Sequence, residues 1–417
     1  MELAARRQAL QLAARALEQR LNADPSDHQG PELPCPCGGT AQYHGRHAKT
    51  FASALGPLRL ERAYYHCARC QSGFCPRDRS WGLTLAALTP GVLRMTASAA
   101  ALVSFQESSG LLSELAGVEV SAKQVERVAE ALGAEIAADE RKSVEKTGPG
   151  ALTLYLGMDG TGVPMRAAEV AERTGKQPDG SAKTREAKLV TVWSAESRDA
   201  EGKPRRDPGS ITYSAGIESA ATRDTSPQIS DFAARVQREA TRRGFAQARQ
   251  RVVLGDGSAW IWNTAAELFP DATQILDRFH AKEHLSSVGK IIFGNPVAGQ
   301  PWIEQRYDEL DAGRLRSLIQ ALRPYVRPHP EARDCMHYIW NNRRRMRYPR
   351  FDQQGLCTAT GVVEAGCKVV VGTRLKRAGM HWTVHGANAI LALRCCKLSG
   401  RLEDFWERRS DQIMAAA

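Results

Sequence analysis

The spacing of apolar and polar positions divides the chain into zones. Residues 1–22 (MELAARRQALQLAARALEQRLN) repeat Leu and Ala at helical intervals and predict an amphipathic helix. Asn22 to Pro36 is rich in Asp, Pro and Gly and predicts a loop. Short strand-like runs follow among cysteines up to residue 76, such as LRLERAYY from Leu58 to Tyr65. From Thr89 to about Glu145 the rhythm is helical and rich in Ala, Val and Leu. Between 150 and 280 the period changes. TLYLGMDG, AKLVTVWSA, SITYSAG, RVVLGDG and ATQILD read as buried strands, with a helix from Pro227 to about Arg243 between the third and the fourth. Strands alternating with helices predict an α/β layer. Helical spacing returns at 281–355, and 360–397 carries Gly, Val and basic residues in a helical rhythm. The expected divisions are 1–30, 31–82, 83–148, 149–280, 281–357 and 358–417.

Composition narrows the function. The chain has 417 residues, 42% hydrophobic and 25% charged, enough for two or three folded domains. No run of 18 apolar residues occurs, so no membrane span is expected. The amphipathic start carries Glu2 and Glu18 and lacks the apolar centre of a signal peptide, so a cytoplasmic protein is expected. A net charge of +11 favours a polyanionic partner, nucleic acid first. Charge alone does not separate nucleic acid from a membrane surface.

Of ten cysteines, Cys35, Cys37, Cys67, Cys70 and Cys75 are clustered. In a reducing compartment such a cluster points to metal rather than to disulfides. CPCGG and CARC pair a C-x-C with a C-x-x-C, so Cys35, Cys37, Cys67 and Cys70 are the expected ligands of a structural Zn²⁺ in a ribbon-like module. The C-x-C is tight, and Cys75, His44, His47 and His66 are possible substitutes. Residues 111–127 then read as helix, glycine turn, Ser121 cap and second helix. A DNA-reading hairpin of this kind would present Lys123, Gln124 and Arg127. The same pattern also fits an ordinary helix hairpin.

Two of the strand-like runs end in Asp-Gly, at Asp159 and Asp256. One such aspartate is often a turn or cap residue. Two in the same setting, on neighbouring strands, would converge and repel, and a hard divalent cation, Mg²⁺ or Mn²⁺, would relieve the repulsion. Glu364, early in the helix of ATGVVEAGCK, is the best third acid. It also suits the helix dipole and an i,i+4 pair with Lys368. Two metals held by three such acids could activate a water or a 3′-hydroxyl and stabilise the leaving oxygen of a phosphodiester. RRRMRYPR supplies Arg343, Arg344, Arg345, Arg347 and Arg350. With Lys368, Arg374, Lys376 and Arg377 near the Glu364 helix, they suit phosphate contact. Tyr348 or Trp382 could stack on an unpaired base. His280 and His284 stand at i,i+4, but HAKEH lacks the H-E-x-x-H order of a zinc protease.

The ordered set CPCGG, YYHCARC, GMDGTGVPM, VVLGDGSAWIW, ILDRFHAKEHL, RMRYPRF, GVVEAGCK and TRLKRAGMHWTVHGANAILALR resembles bacterial insertion-sequence transposases with a DDE (Asp-Asp-Glu) core. The nearest likeness is to the ISKra family (the one numbered four), a relative of the Mutator-like transposases, and it runs from about residue 30 to 410. It implies a ribonuclease-H-like core with Asp159, Asp256 and Glu364 as the metal-binding triad. The stretch between Asp256 and Glu364 then exceeds what a bare core needs, and about 281–355 becomes a helical insertion. A zinc-ribbon and a helical DNA-binding region would precede the core. Related families carry an Asp-x-x-His pair, matched here by Asp277 and His280. The reaction implies DNA ends and target as partners, a homodimer or higher oligomer on DNA, and association with the nucleoid. The alternatives are a ribonuclease-H-fold nuclease without strand transfer, or a zinc-ribbon DNA-binding regulator with an inactive core.

Overall fold

The computed structural model describes residues 1–142, 151–175, 177–220 and 229–415. The expected division at 148/149 and the expected helix start at Pro227 lie outside them. The chain divides into two compact units, Met1–Asp139 with Gly400–Ala417, and Glu140–Ser399. Among the described residues no helix is long and apolar enough to cross a membrane.

In the first unit α1 (Glu2–Asn22) precedes a four-stranded antiparallel sheet of β1 (Glu32–Pro34), β2 (Thr40–Ser53), β3 (Gly56–Cys67) and β4 (Ser72–Phe74). Alternation along β2 and β3 buries Phe51, Leu58 and Leu60 against Ala14 of α1. A register shift between Tyr43 and Arg46 includes Gly45, whose φ of +88° is open to glycine. The loop before β1 is pinned by buried Asp27, which accepts from the Ala63 N–H at 2.8 Å and pairs with Arg46 and Arg77. Five helices follow: α2 (Pro76–Ser80), α3 (Pro90–Leu102), α4 (Phe105–Leu111), α5 (Ala122–Lys142) and, after the second unit, α16 (Leu402–Ala415). α4 runs on through a wide turn to Ala116, and Gly117 (φ +69°) breaks it. Ser121 then starts α5, its hydroxyl accepting from the Gln124 N–H. α5 buries Val125, Val128, Ala129, Leu132 and Ile136 at helical spacing. α16 joins this unit through Arg409–Glu135 and Arg408–Asp139 pairs at 2.7 Å.

The second unit is mixed α/β. Its main sheet contains β5 (Thr153–Pro164), β6 (Thr184–Ser194), β9 (Thr212–Gly216), β10 (Gln250–Gly255) and β11 (Thr273–Leu276), and a small ribbon of β7 (Ser197–Arg198) and β8 (Pro204–Arg205) follows β6. The spatial order is β11-β10-β5-β6-β9. β5, β6 and β9 are antiparallel neighbours, whereas β10 and β11 run parallel to β5. All five expected strands are present. The β5–β6 pair extends further than expected, to Pro164 and back to Thr184. α6 (Asp231–Arg242) and α7 (Ala259–Leu268) supply Phe232, Val236 and Ile261 to the core around Leu156, Val192 and Leu254.

The helical stretch at 281–355 is five helices: α8 (Arg278–Phe293), α9 (Pro296–Asp311), α10 (Leu315–Leu322), α11 (Pro330–Asn342) and α12 (Tyr348–Gln353). Then α13 (Gly361–Gly366) leads through a wide turn at Cys367–Gly372 into α14 (Thr373–Leu375), and α15 (Val384–Leu398) follows. Both free sheet edges are covered. Along β11, Tyr348 donates to the Leu276 carbonyl. Along β9, Asn388 of α15 and Ser399 just after it accept from the N–H groups of Ile217 and Tyr213.

Candidate active site and thiol cluster

β5 and β10 pair in parallel up to Leu254 opposite Gly157; there β10 nears its end, whereas β5 runs on beside β6. Asp159 and Asp256 each lie two residues beyond that pair, half-buried. α13 packs on β5 at Gly157: a Cβ there would lie 2.0 Å from Val363 Cγ2. Only glycine lets the helix, and with it Glu364, come so close. Burial raises the Asp159 carboxyl above its ordinary range. The Gly160 N–H and the Cys367 thiol oppose this by hydrogen bonding, and the charges of Asp256 and Glu364 add to it. Asp256 and Glu364 thus both bear on Asp159. Glu364 is exposed and has Lys368 4.0 Å away at i,i+4. Among the described residues the only set of three or more candidate ligands with all atoms within 4.8 Å is the thiol cluster, so the acids stand further apart than that. Oxygen donors of one sign, partly desolvated, fit a hard divalent cation.

Asp256 is hydrogen-bonded within its own turn. Its carboxylate accepts from the Ser258 N–H at 2.9 Å and from the Ser258 hydroxyl at 3.2 Å, which shapes the turn into α7. Lone pairs remain, since a carboxylate has about four acceptor sites. Its carbonyl accepts from the Tyr338 hydroxyl on α11 at 2.7 Å. Gly257 (φ +108°) lies under that ring, where a Cβ would meet Tyr338 Cε2 at 2.5 Å. His284 sits on Tyr338 with centroids 4.2 Å apart and meets His280 at 5.0 Å. Burial lowers the His284 pKa; the charge of His280 adds to this, and Glu283 and Asp256 counter it. Nothing local in the sequence marks Tyr338.

Asp277, matched to the Asp-x-x-His pair, is buried and faces backbone. It caps α8 by accepting from the Phe279 and His280 N–H groups at 2.6 and 3.1 Å. Its other oxygen accepts from the Thr360 N–H at 2.7 Å and from the Thr360 hydroxyl. It thus ties α8 to the residue that precedes α13. His280 is half-buried, with Nδ1 3.2 Å from Glu283.

The expected phosphate contacts divide. Arg374 is fully buried with its guanidinium over Trp382 at 5.3 Å, and Trp382 donates its indole N–H to the Leu375 carbonyl. Neither reaches a ligand at the surface, so both drop out as DNA contacts; the wide turn before α14 shifts the helical phase and turns Arg374 inward. Arg394 fills the gap this turn opens, donating to the Val369 carbonyl and the Thr373 hydroxyl. Tyr348 is equally buried, which removes it as a stacking residue. Lys376 is exposed and donates to the Thr161 hydroxyl at 2.9 Å, two residues past Asp159. Lys368, Arg377, Arg343, Arg344, Arg347 and Arg350 are exposed, and Arg345 is half-buried.

In the first unit Cys35, Cys37, Cys67 and Cys70 converge, while Cys75 stands outside the group. Cys35–Cys70 and Cys37–Cys67 sulfur distances are 3.6 and 3.7 Å. A tetrahedral Zn²⁺ with Zn–S bonds of about 2.3 Å sets its sulfurs about 3.8 Å apart, so the group could hold a structural metal such as zinc. The C-x-C works because Gly38 (φ +77°) turns the chain and Cys35 donates its N–H to the Gly39 carbonyl at 2.8 Å. Cys70 is pulled down to about 6, first by the Ser72 N–H and then by the thiols of Cys35 and Cys37. The Cys37 N–H favours the Cys35 thiolate, but burial and the neighbouring sulfurs outweigh it and push Cys35 up to about 12. In the expected DNA-reading hairpin, Arg127 is exposed, whereas Lys123 is paired with Glu126 at 2.6 Å. The chain matches no protein-family model and no curated protein sequence.

Proposed function

We propose that this chain is a DDE transposase. In this reading it binds the ends of its insertion sequence, cleaves DNA phosphodiesters and transfers the strands to a target with two divalent metal ions. The observation that carries the reading is the register that sets Asp159 and Asp256 each two residues past the Gly157–Leu254 pair, with α13 packed on Gly157 through Val363, the residue before Glu364. A ribonuclease-H-like core is supported by three antiparallel strands followed by two parallel to the first, with α8–α12 as the insertion. Asp159, Asp256 and Glu364 would hold Mg²⁺ or Mn²⁺, which when bound supplies an activated oxygen nucleophile and stabilises the leaving oxygen. The Cys367 thiol holds the Asp159 carboxylate, Tyr338 fixes the Asp256 turn, and Lys376 brings positive charge to the mouth of the site. Zn²⁺ in the thiol cluster would be structural. Handling two DNA ends calls for a dimer or higher assembly on DNA.

The test is cleavage of a DNA fragment carrying the gene's own flanks, with and without Mg²⁺, by the wild type and by Asp256→Asn. Metal-dependent nicking at the flanks, followed by strand joining, is expected from the wild type only. Nicking without joining would favour a nuclease, and binding without nicking a regulator.

A further inference from the structure

The arginine run does not lie beside the acids. Arg343, Arg344, Arg345, Arg347 and Arg350 line an open pocket of about 700 Å³ in the second unit, together with Gln274 and its neighbours at the start of β11. Thr273 of this wall is level with Val252 of β10. Asp256 lies four positions further along β10, a separation of about 13 Å at about 3.3 Å per residue. None of the three acids lines the pocket.

Two explanations compete. In the first, the arginines only cover the free edge of β11. Arg345 does serve the edge: it donates to the Gln274 side chain at 2.8 Å and to Asn342 at 3.0 Å, with its plane 4.3 Å over Trp262. Arg344, Arg347 and Arg350 make no such contacts, and none of the five forms an ion pair among the described residues. No acidic residue lines the pocket either. Five cations converging without a counter-charge repel one another, and an edge cover would not need them. Partial burial also lowers the Arg345 pKa, because its charge is desolvated without an anion.

We infer that this pocket is a separate anion site that grips the phosphodiester backbone of duplex DNA away from the position the acids would cut. It rests on the DNA-binding part of the proposed function but not on the acids. A displacement of about 13 Å along a duplex is about four base pairs, at about 3.4 Å per base pair. Guanidinium forks match phosphate oxygens, and backbone contacts fix register without reading sequence.

The probe is a mixed-sequence duplex several helical turns long, titrated over a range of salt. Replacing Arg344, Arg347 and Arg350 together with Gln should reduce the slope of log affinity against log salt by about 2 to 3, since each lost phosphate contact removes about 0.9. The corresponding triple Lys variant should keep most of the slope. Manganese binding to the acids, read by electron paramagnetic resonance, should be unchanged in both. On the wild type, bound duplex should protect these three arginines from a dicarbonyl reagent. An unchanged slope with a normal thermal melt overturns the inference, as does equal modification with and without DNA. Failure of the wild type to nick DNA, with the slope change intact, would overturn the transposase reading and leave the pocket standing.

Discussion

The approach of α13 to β5 gives a sharp test of how Glu364 is placed. Gly157→Ala adds a Cβ that would lie 2.0 Å from Val363 Cγ2 and 3.1 Å from Trp193 Cζ3. Carbon atoms rest about 3.5–4.0 Å apart, so something must retreat by about 1.5–2 Å. Trp193 is fully buried and stacked on Tyr155 with centroids 5.5 Å apart, so it has nowhere to go. Val363 is β-branched on a helix and is held to one rotamer. The displacement therefore falls on α13, and Glu364 is the next residue. Overpacking of this kind costs about 1–3 kcal/mol. Misplacing a reacting group by about 1 Å costs about 10²-fold in rate. Gly157→Ala should thus retain duplex binding, melt earlier and nick the gene's flanks about 10²-fold more slowly. Val363→Ala alone should cost about 2 kcal/mol by leaving a cavity. The double variant should recover activity and show a favourable coupling of about 1–2 kcal/mol, because the new methyl occupies the space the valine vacates. Thermal melts and a nicking assay on all four proteins close the cycle. Full activity in Gly157→Ala, or a double variant no better than that single one, would refute the reasoning.

Three further outcomes are expected. Tyr338→Phe removes the 2.7 Å donor from the Asp256 carbonyl while the ring still covers Gly257. It should cost about 1 kcal/mol and raise the Mg²⁺ concentration for half-maximal nicking; an unchanged metal dependence would rule out a positioning role. Elemental analysis should find about one zinc per chain. Cys67→Ser with Cys70→Ser should lose it, and normal zinc in that variant would exclude these ligands. Burial first, and then Asp256 and Glu364, raise the folded-state pKa of Asp159. The folded chain therefore holds that proton more tightly than the unfolded chain, and the strain of the charged form is present above the raised pKa. Without metal, Asp159→Asn should be more stable than the wild type at neutral pH. The gain should shrink as pH falls through the raised pKa and vanish below the ordinary carboxylate range, as thermal melts across pH would show.

The sheet was legible because its strands are buried on both faces and read as unbroken apolar runs. Four of the five end near the expected residues, while β5 runs on past its Asp-Gly to Pro164; the two Asp-Gly pairs marked the acids. The cysteine pairs were legible because metal chemistry demands fixed spacing. The fate of the C-terminal segment was not. α16 joins the first unit through Glu135 and Asp139, more than 250 positions away, and no local pattern encodes so distant a pairing.

Basic residues were the least legible, and the reason is geometric. A positive side chain in a sequence carries no direction. Arg374 stands two positions before Lys376, yet the first is sealed under Trp382 and the second reaches Thr161 near Asp159. The wide turn at Cys367–Gly372 decides between them by shifting the helical phase, and no run of residues announces such a turn. The same limit explains the arginine run. Its neighbourhood in sequence suggested a place beside the acids. The parallel register of β10 and β11 instead sets Asp256 after the strands and the arginines at their start. Parallel strands leave a sheet at the same end, so Asp256 and Asp277 share one edge, and whatever packs on the opening residues of β11 is held away from them by the length of the strand. For a polyanion that spans both ends, the proposed sites would separate holding from cutting. Loss of the arginines should therefore weaken binding while leaving the rate at saturating DNA intact, whereas loss of an acid should do the reverse.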